Sequence, residues 1–405
     1  MEVPHDNSSA ALVAGLALDE AATARDRMHD TFPSPAADEC SGESVQVFSE
    51  DIPDFAAWHL ERLYGALYSS LAYFRVCDSL DGVHTYVSRA NGKSGDITAI
   101  LLYRVEAATI HVVNEGMRLP EVEVQRFCSH MFARYSGVAM IRFHAVQIAG
   151  ELRSFPRQRF LCAEDFIAPL PADEAGYLAA LGGATRKNIK RHRNRLQRDF
   201  PGFRYQVIDK ENIDEVHVRA IIELNRARMR QKNKSSFIDE EETQKIIRLA
   251  RACGKLGLAT IDGRIVGGAI VFHIGASFIS KVNAHDADYD DYRLGMLCCY
   301  LMVCSAIGHG CTRFHFGHGR YAYKTALLGA FQPYEHVLVY RSAASMAAHG
   351  RTFLRTALDG YRLETSRWLL DRAEQGDGPF WSTAGKLLAA WRARKNRGGN
   401  ASNPA

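Results

Sequence analysis

No two of the nine cysteines stand in CxxC spacing, their number is odd and their intervals are irregular. That pattern excludes a disulfide framework and a structural zinc site as the basis of the fold, and reduced thiols in a cytoplasmic compartment are expected. The chain also has no run near the ~20 apolar residues that span a bilayer. No basic stretch leads into Ala10–Leu18, as it would in a secretory signal. A charge excess is lacking too: 50 Lys and Arg against 46 Asp and Glu leave +4, too little to make the whole chain a polyanion binder.

What is present is an ordinary globular composition, 47% hydrophobic and 24% charged. A length of 405 residues predicts two or three domains. Residues 1–44, rich in Ala, Asp, Glu, Ser and Pro without sustained periodicity, are expected to be disordered. A first folded unit over 45–165 begins with helical spacing at Phe55, Trp58, Leu60, Leu63, Tyr64 and Leu67. It continues with strands at Thr85–Ser88, Ile97–Val105 and Thr109–Val113, a helix over Pro120–Tyr135, a strand at Val138–Phe143 and an exit strand at Phe160–Pro169. A second unit over 166–345 opens with helices at Ala175–Leu181 and Thr185–Phe200, stopped by Pro201-Gly202. A strand at Arg204–Ile208 and helices at Ile213–Arg230 and Asp239–Ala252 follow, with Asp239 and Glu242 in capping-box positions. Asp262-Gly263 marks a hairpin between Leu258–Ile261 and Arg264–His273. A further strand at Ser277–Ala284 precedes a helix over Gly295–Gly308 and strands at Arg313–Phe316 and His336–Tyr340. Residues 346–405 are expected to be helices and then a basic disordered tail. Both units run helices, strands, a helix and a strand, which predicts a structural duplication.

The chemistry concentrates in the second unit. Tyr292-Arg293-Leu294-Gly295-Met296 opens a helix, whose first N–H groups and dipole suit an anion when glycine lets it approach. The preceding strand ends in Asn283-Ala284-His285-Asp286. The following one runs into His315-Phe316-Gly317-His318-Gly319 and then Tyr321, Tyr323 and Lys324. Eight Lys or Arg lie between Arg186 and Arg204, among them Lys187, Lys190 and Arg191. Their helix face suits phosphates, an anionic glycan, lipid headgroups or RNA, or is simply a solvated surface. Arg226, Arg228, Arg230, Lys232 and Lys234 form a second basic cluster. Cys298, Cys299 and Cys304 read as core thiols. Cys311, His315 and His318 lack the spacing of a metal site, so no metal is expected.

This segment, roughly 165–342, resembles the acetyltransferase-like domain of the CelD/BcsL group, related to the FemAB transferases within the Gcn5-related N-acyltransferase (GNAT) superfamily. The resemblance rests on Asp286–Tyr289 at the turn, Tyr292–Gly295 at the helix start, His315–Gly319 on the strand, Tyr323-Lys324 after it, and Thr185–Arg191 on the basic helix. His315 stands where that family commonly has an acid. The resemblance implies an α/β fold of two tandem GNAT units, mixed mainly antiparallel sheets flanked by helices, with only the second unit catalytic. It implies direct acyl transfer from acyl-CoA (acetyl-CoA) to an amine of a small molecule or glycan, in surface polysaccharide or envelope assembly, with peripheral contact to a membrane assembly. The donor would lie near Lys281–Asp286 and Thr312–Gly317. His285 or Asp286 would be the base and Tyr321 or Tyr323 the acid. Arg293, Leu294, Gly295, Met296 and Lys324 would bind the donor, and Arg186, Lys187, Lys190, Arg191 and His318 the acceptor or a polyanion. Two alternatives stay open: an aminoacyl-tRNA donor, and an inactive scaffold that binds a polyanion or a protein.

Overall fold

A computed structural model describes residues 45–77, 79–90, 95–232 and 236–375. The N-terminal segment, Lys234 and the basic tail lie outside them. The first unit comprises β1 (Val45–Phe48), α1 (Ala56–Tyr64), α2 (Leu71–Cys77), β2 (His84–Arg89), β3 (Ile97–Glu106), β4 (Thr109–Val112), β5 (Arg118–Pro120), α3 (Glu121–Arg134), β6 (Met140–Ala149) and β7 (Arg157–Pro169). Next come α4 (Glu174–Ala180) and the basic α5 (Gly183–Asp199). The second unit repeats the order with β8 (Arg204–Asp209), α6 (Glu215–Gln231), α7 (Glu240–Cys253), β9 (Gly254–Ile261), β10 (Arg264–Ile274), β11 (Ser277–His285), α8 (Leu294–Gly308), β12 (Arg313–His315), α9 (Ala322–Ala326) and β13 (Ala330–Tyr340). Helices α10 (Ala343–Ala348) and α11 (Gly350–Gln375) follow.

Local chemistry accounts for several of these boundaries. Asp239 accepts from the N–H of Glu242 at 2.8 Å and caps α7. Asp262 and Gly263 both take positive φ, 49° and 81°, and turn β9 into β10, where Ile261 faces Arg264. Helix α8 carries Leu, Met, Cys and Val on every side and is buried along most of its length, as an all-round apolar helix must be.

The units join into one sheet of order β1-β2-β3-β4-β6-β13-β7-β12-β11-β10-β9-β8. The order is symmetric about the β13/β7 seam, and the last strands are exchanged. Strand β13, from the second unit, pairs with β6 of the first, while β7, from the first, pairs with β12 of the second. The cores agree: Val337 and Val339 of β13 pack with Phe127, Ile141 and Phe143, and Phe166 and Ala168 of β7 pack with Phe314 and Val303. The sequence division at 165/166 falls inside β7. Thus the fold is two tandem GNAT-like units, each a mixed, mainly antiparallel sheet flanked by helices.

In each half one internal pair is parallel, β4/β6 and β11/β12, and there the strands are free to part. In the first half the opening is sewn shut. The chain after β4 re-pairs with β6 through Gly116 N to Ala145 O and Gln147 N to Met117 O, then as β5. In the second half it stays open.

Candidate active site

Strands β11 and β12 pair only over Ser277–Ile279 against Arg313–His315. On the other edge of β11 the register with β10 jumps from Val271/Ser280 to Ile270/Val282, leaving Lys281 as the extra residue of a β-bulge. A bulge bends its strand and leaves backbone groups unpaired. An ion pair from Lys281 to Glu242 on α7, at 2.6 Å, fixes it. Beyond the bulge lies a cleft of about 1620 Å³, lined by α6, β7, β11, the first turn of α8 and the segment after β12. A smaller cavity of about 340 Å³ lies under α5; Arg191, His192, Arg293, Met296 and Tyr323 line both.

His285, at the end of β11, is buried against the first turn of α8. A Cβ on Gly295 would stand 2.5 Å from its Nδ1, so the imidazole fills part of the glycine cradle expected for an anion. Arg228 Nη1 on α6 lies 2.7 Å from the ring nitrogens, and Asp290 Oδ1 lies 2.7 Å from Nε2. Burial, then Arg228, lowers the His285 pKa against the opposing pull of Asp290. The imidazole is therefore neutral at pH 7 and held on both sides. Asp286, the other expected base, is occupied elsewhere. One oxygen accepts from Asp288 N at 3.2 Å as a turn cap, and the other meets Arg264. Asn283, which lines the cleft, donates to the Gly295 carbonyl at 3.0 Å, and its buried Oδ1 has no hydrogen-bond partner among the described residues.

The donor-binding expectations divide. Arg293 sits in the left-handed region (φ 52°) as N-cap of α8, and with Gly295 and Met296 it lines the cleft. The Leu294 side chain is wholly buried in the core. Lys324 is 1% exposed, and its Nζ donates to the Gly317 and His318 carbonyls, each at 2.6 Å. It lies 5.3 Å from the Phe166 ring centroid. Burial lowers its pKa to about 8. The ammonium holds the Gly317–Gly319 loop and is not presented to a phosphate.

That loop is held from the other side by β7. Asp165 accepts from Gly317 N at 2.8 Å and approaches His315 Nδ1 at 2.8 Å. Glu164 accepts from Gly319 N at 3.3 Å and pairs with Arg320 at 3.5 Å. A buried polar atom left without a partner costs ~1–3 kcal/mol, and His315 Nε2 has none among the described residues. Tyr321, half exposed, and Tyr323, mostly buried, stack at 6.1 Å on the cleft wall beside His318. Burial pushes the Tyr323 hydroxyl up, so it stays protonated.

On α5, Arg186, Lys187, Lys190 and Arg191 are exposed. Arg186 bonds back to the Ala179 carbonyl at 3.1 Å, and only Arg191 of the four reaches the cavities. Within the second basic cluster, Arg226 ties α6 to the Ile238 and Asp239 carbonyls, whereas Arg228 and Lys232 line the cleft. Sequence reasoning missed Asp165, Glu164 and the partnership of Arg228 with His285. The acidic pair sits in a strand read only as an exit from the first unit. Burial pushes the thiols of Cys299 and Cys304 up to about 12 and about 11, which suits core residues and not nucleophiles.

Arg191, Arg293 and Lys232 line the cleft, cations that can pair with an anionic ligand. Residues 183–325 match the acetyltransferase (GNAT) domain family. No curated protein matches. Among solved structures, FemX is 10% identical, with 73% of this chain and 97% of that chain covered at a TM-score of 0.49. The L-PGS from Bacillus licheniformis is 12% identical, with 77% and 98% covered at 0.43. A tandem GNAT protein from the clavulanic acid biosynthesis pathway is 14% identical, with 73% and 98% covered at 0.36.

Proposed function

We propose, from the premise that this chain belongs to the GNAT superfamily of acyltransferases, that it moves an acyl group from acyl-CoA to an amine. Acetyl-CoA is the simplest donor, and a small molecule or glycan is the acceptor. The observation that carries this is the coincidence of three features at one place. Pairing of β11 with β12 ends at Ile279 and His315, the bulge at Lys281 follows, and the first turn of α8 stands beside both. Such a gap takes an extended thioester, and an N–H freed at the bulge polarises its carbonyl as charge develops on oxygen. Tyr321 or Tyr323, both on the cleft wall, is our candidate to give a proton to the departing sulfur. The family resemblance extends the role to surface polysaccharide or envelope assembly. Among the described residues no helix is long and apolar enough to cross a membrane.

The row of exposed cations on α5 favours one second reading, an aminoacyl-tRNA donor, whose binding would weaken steeply with salt. Thermal unfolding with acetyl-CoA, CoA and bulk tRNA separates the two. A ligand at a hundredfold excess over its Kd stabilises the folded state by ~2.7 kcal/mol. Stabilisation by the CoA species supports the first reading, and salt-sensitive stabilisation by tRNA alone replaces it with the second. No response to either overturns both.

A further inference from the structure

The contact between Asp165 and His315 has no part in the reaction outlined above. His315 closes β12 with Ile279 of the second unit on one side and Ile167 of β7 on the other, so strands from both units hold its backbone. The side chain is buried, with Nδ1 2.8 Å from Asp165 Oδ2. Asp165 is itself fixed, because its other oxygen accepts from the N–H of Gly317 at 2.8 Å and of Phe166 at 2.7 Å. A carboxylate on Nδ1 keeps the ring proton there and leaves the lone pair on Nε2. That atom is buried without a partner among the described residues, and His315 lines the cleft. His285, the alternative imidazole, has Arg228 and Asp290 against its nitrogens.

We propose that His315 Nε2 is the proton acceptor for the incoming amine, with Asp165 as its positioning residue. The inference rests on the acyl-transfer reading. The amine nitrogen attacks the thioester carbonyl carbon, so an N–C bond forms. The C–S bond breaks, and its electron pair leaves on sulfur. One N–H proton passes to Nε2, the tyrosine hydroxyl on the cleft wall gives its own proton to the thiolate, and the imidazolium restores that hydroxyl, so the exchange balances without a further reactant. The competent site is then made by the seam, one residue from each unit. Other charged groups facing the pair are Lys324 on α9 and Glu164 on β7.

The test follows the histidine ring nitrogens of the full-length protein by long-range 1H–15N NMR, with His315 assigned by the loss of its signals in His315→Gln. Methylammonium chloride serves as an N–H-donating probe and tetramethylammonium chloride as the control without N–H. The expected result is a proton on Nδ1 and a bare Nε2 that shifts saturably with methylammonium and not with tetramethylammonium. In Asp165→Asn the tautomer preference should collapse. A protonated Nε2 in the wild type, or equal responses to the two cations, overturns the proposal. If CoA stabilises the protein while Nε2 ignores methylammonium, this inference fails and acyl transfer stands. If Nε2 responds and CoA does not bind, the donor assignment fails instead. For any amine the enzyme accepts, His315→Gln should slow transfer roughly 10²- to 10⁴-fold with the CoA-induced thermal shift retained.

Discussion

Gly295 has no side chain because His285 occupies the space: a Cβ there would meet Nδ1 at 2.5 Å and Cε1 at 2.6 Å. The glycine that looked like an open anion cradle is also the seat of an imidazole. Gly295→Ala should push the ring off Arg228 and Asp290 and cost about 1–3 kcal/mol by overpacking. Urea unfolding measures the loss, and the CoA-induced thermal shift should fall with it. A variant of wild-type stability would mean that the ring is not confined.

Lys324 predicts an alkaline stability signature. Its folded pKa of about 8 lies below the 10.5 of the free side chain. Below pH 8 it is charged in both states and the cost of burial is fully present. Between pH 8 and 10.5 the folded state releases its proton first, so that cost is relieved as pH rises, by roughly 3 kcal/mol at most. The neutral amine still has two N–H groups for the Gly317 and His318 carbonyls. The stability of wild type relative to Lys324→Met should therefore increase from pH 7.5 to 10, and a flat difference would contradict the burial.

At the seam, His336 on β13 stacks on Phe160 of β7 at 5.0 Å and meets His144 of β6 edge-on at 5.5 Å. Burial, then His144, Arg142 and His111, lowers its pKa to about 4. The unfolded chain binds that proton near 6.5, so stability is lost as pH falls from 6.5 towards 4, by roughly 3 kcal/mol. His336→Phe should shift the acid-unfolding midpoint downward, followed by circular dichroism. An unchanged midpoint would remove the seam from the acid response.

The exchange of β7 and β13 predicts one cooperative unit. Calorimetry of the full chain should give a single transition with equal calorimetric and van't Hoff enthalpies. A fragment ending at residue 170, which keeps β7 but lacks β12 and β13, should not fold. Two separable transitions would show that the seam is weaker than its register implies.

Much of the fold is legible locally. Asp239, the Asp262-Gly263 pair and the uniform apolarity of α8 mark elements by mechanisms that act within a few residues, and the structure has those elements nearly where they are expected. Residues Ala330–Glu335, which the expected strand at His336–Tyr340 omits, are the first half of β13; their partners on β7 lie more than 160 positions away and leave no periodic trace. The site follows the same division. His285, Gly295 and the tyrosines fall within the motif that marks them, and the structure sets them on the cleft. Asp165 and Glu164 gain their place only through cross-seam pairing, which no local pattern encodes. Lys324 is in the motif for its position, but its task depends on burial, which spacing does not reveal.

The exchanged strands also bear on how the chain is made. A ribosome releases β6 and β7 well before β13, which must fit between them, has been synthesised. Until then the nascent first half carries two long open edges, both sites for illicit pairing. The centre of the sheet closes last, so catalytic competence arrives together with the protection of those edges and not unit by unit.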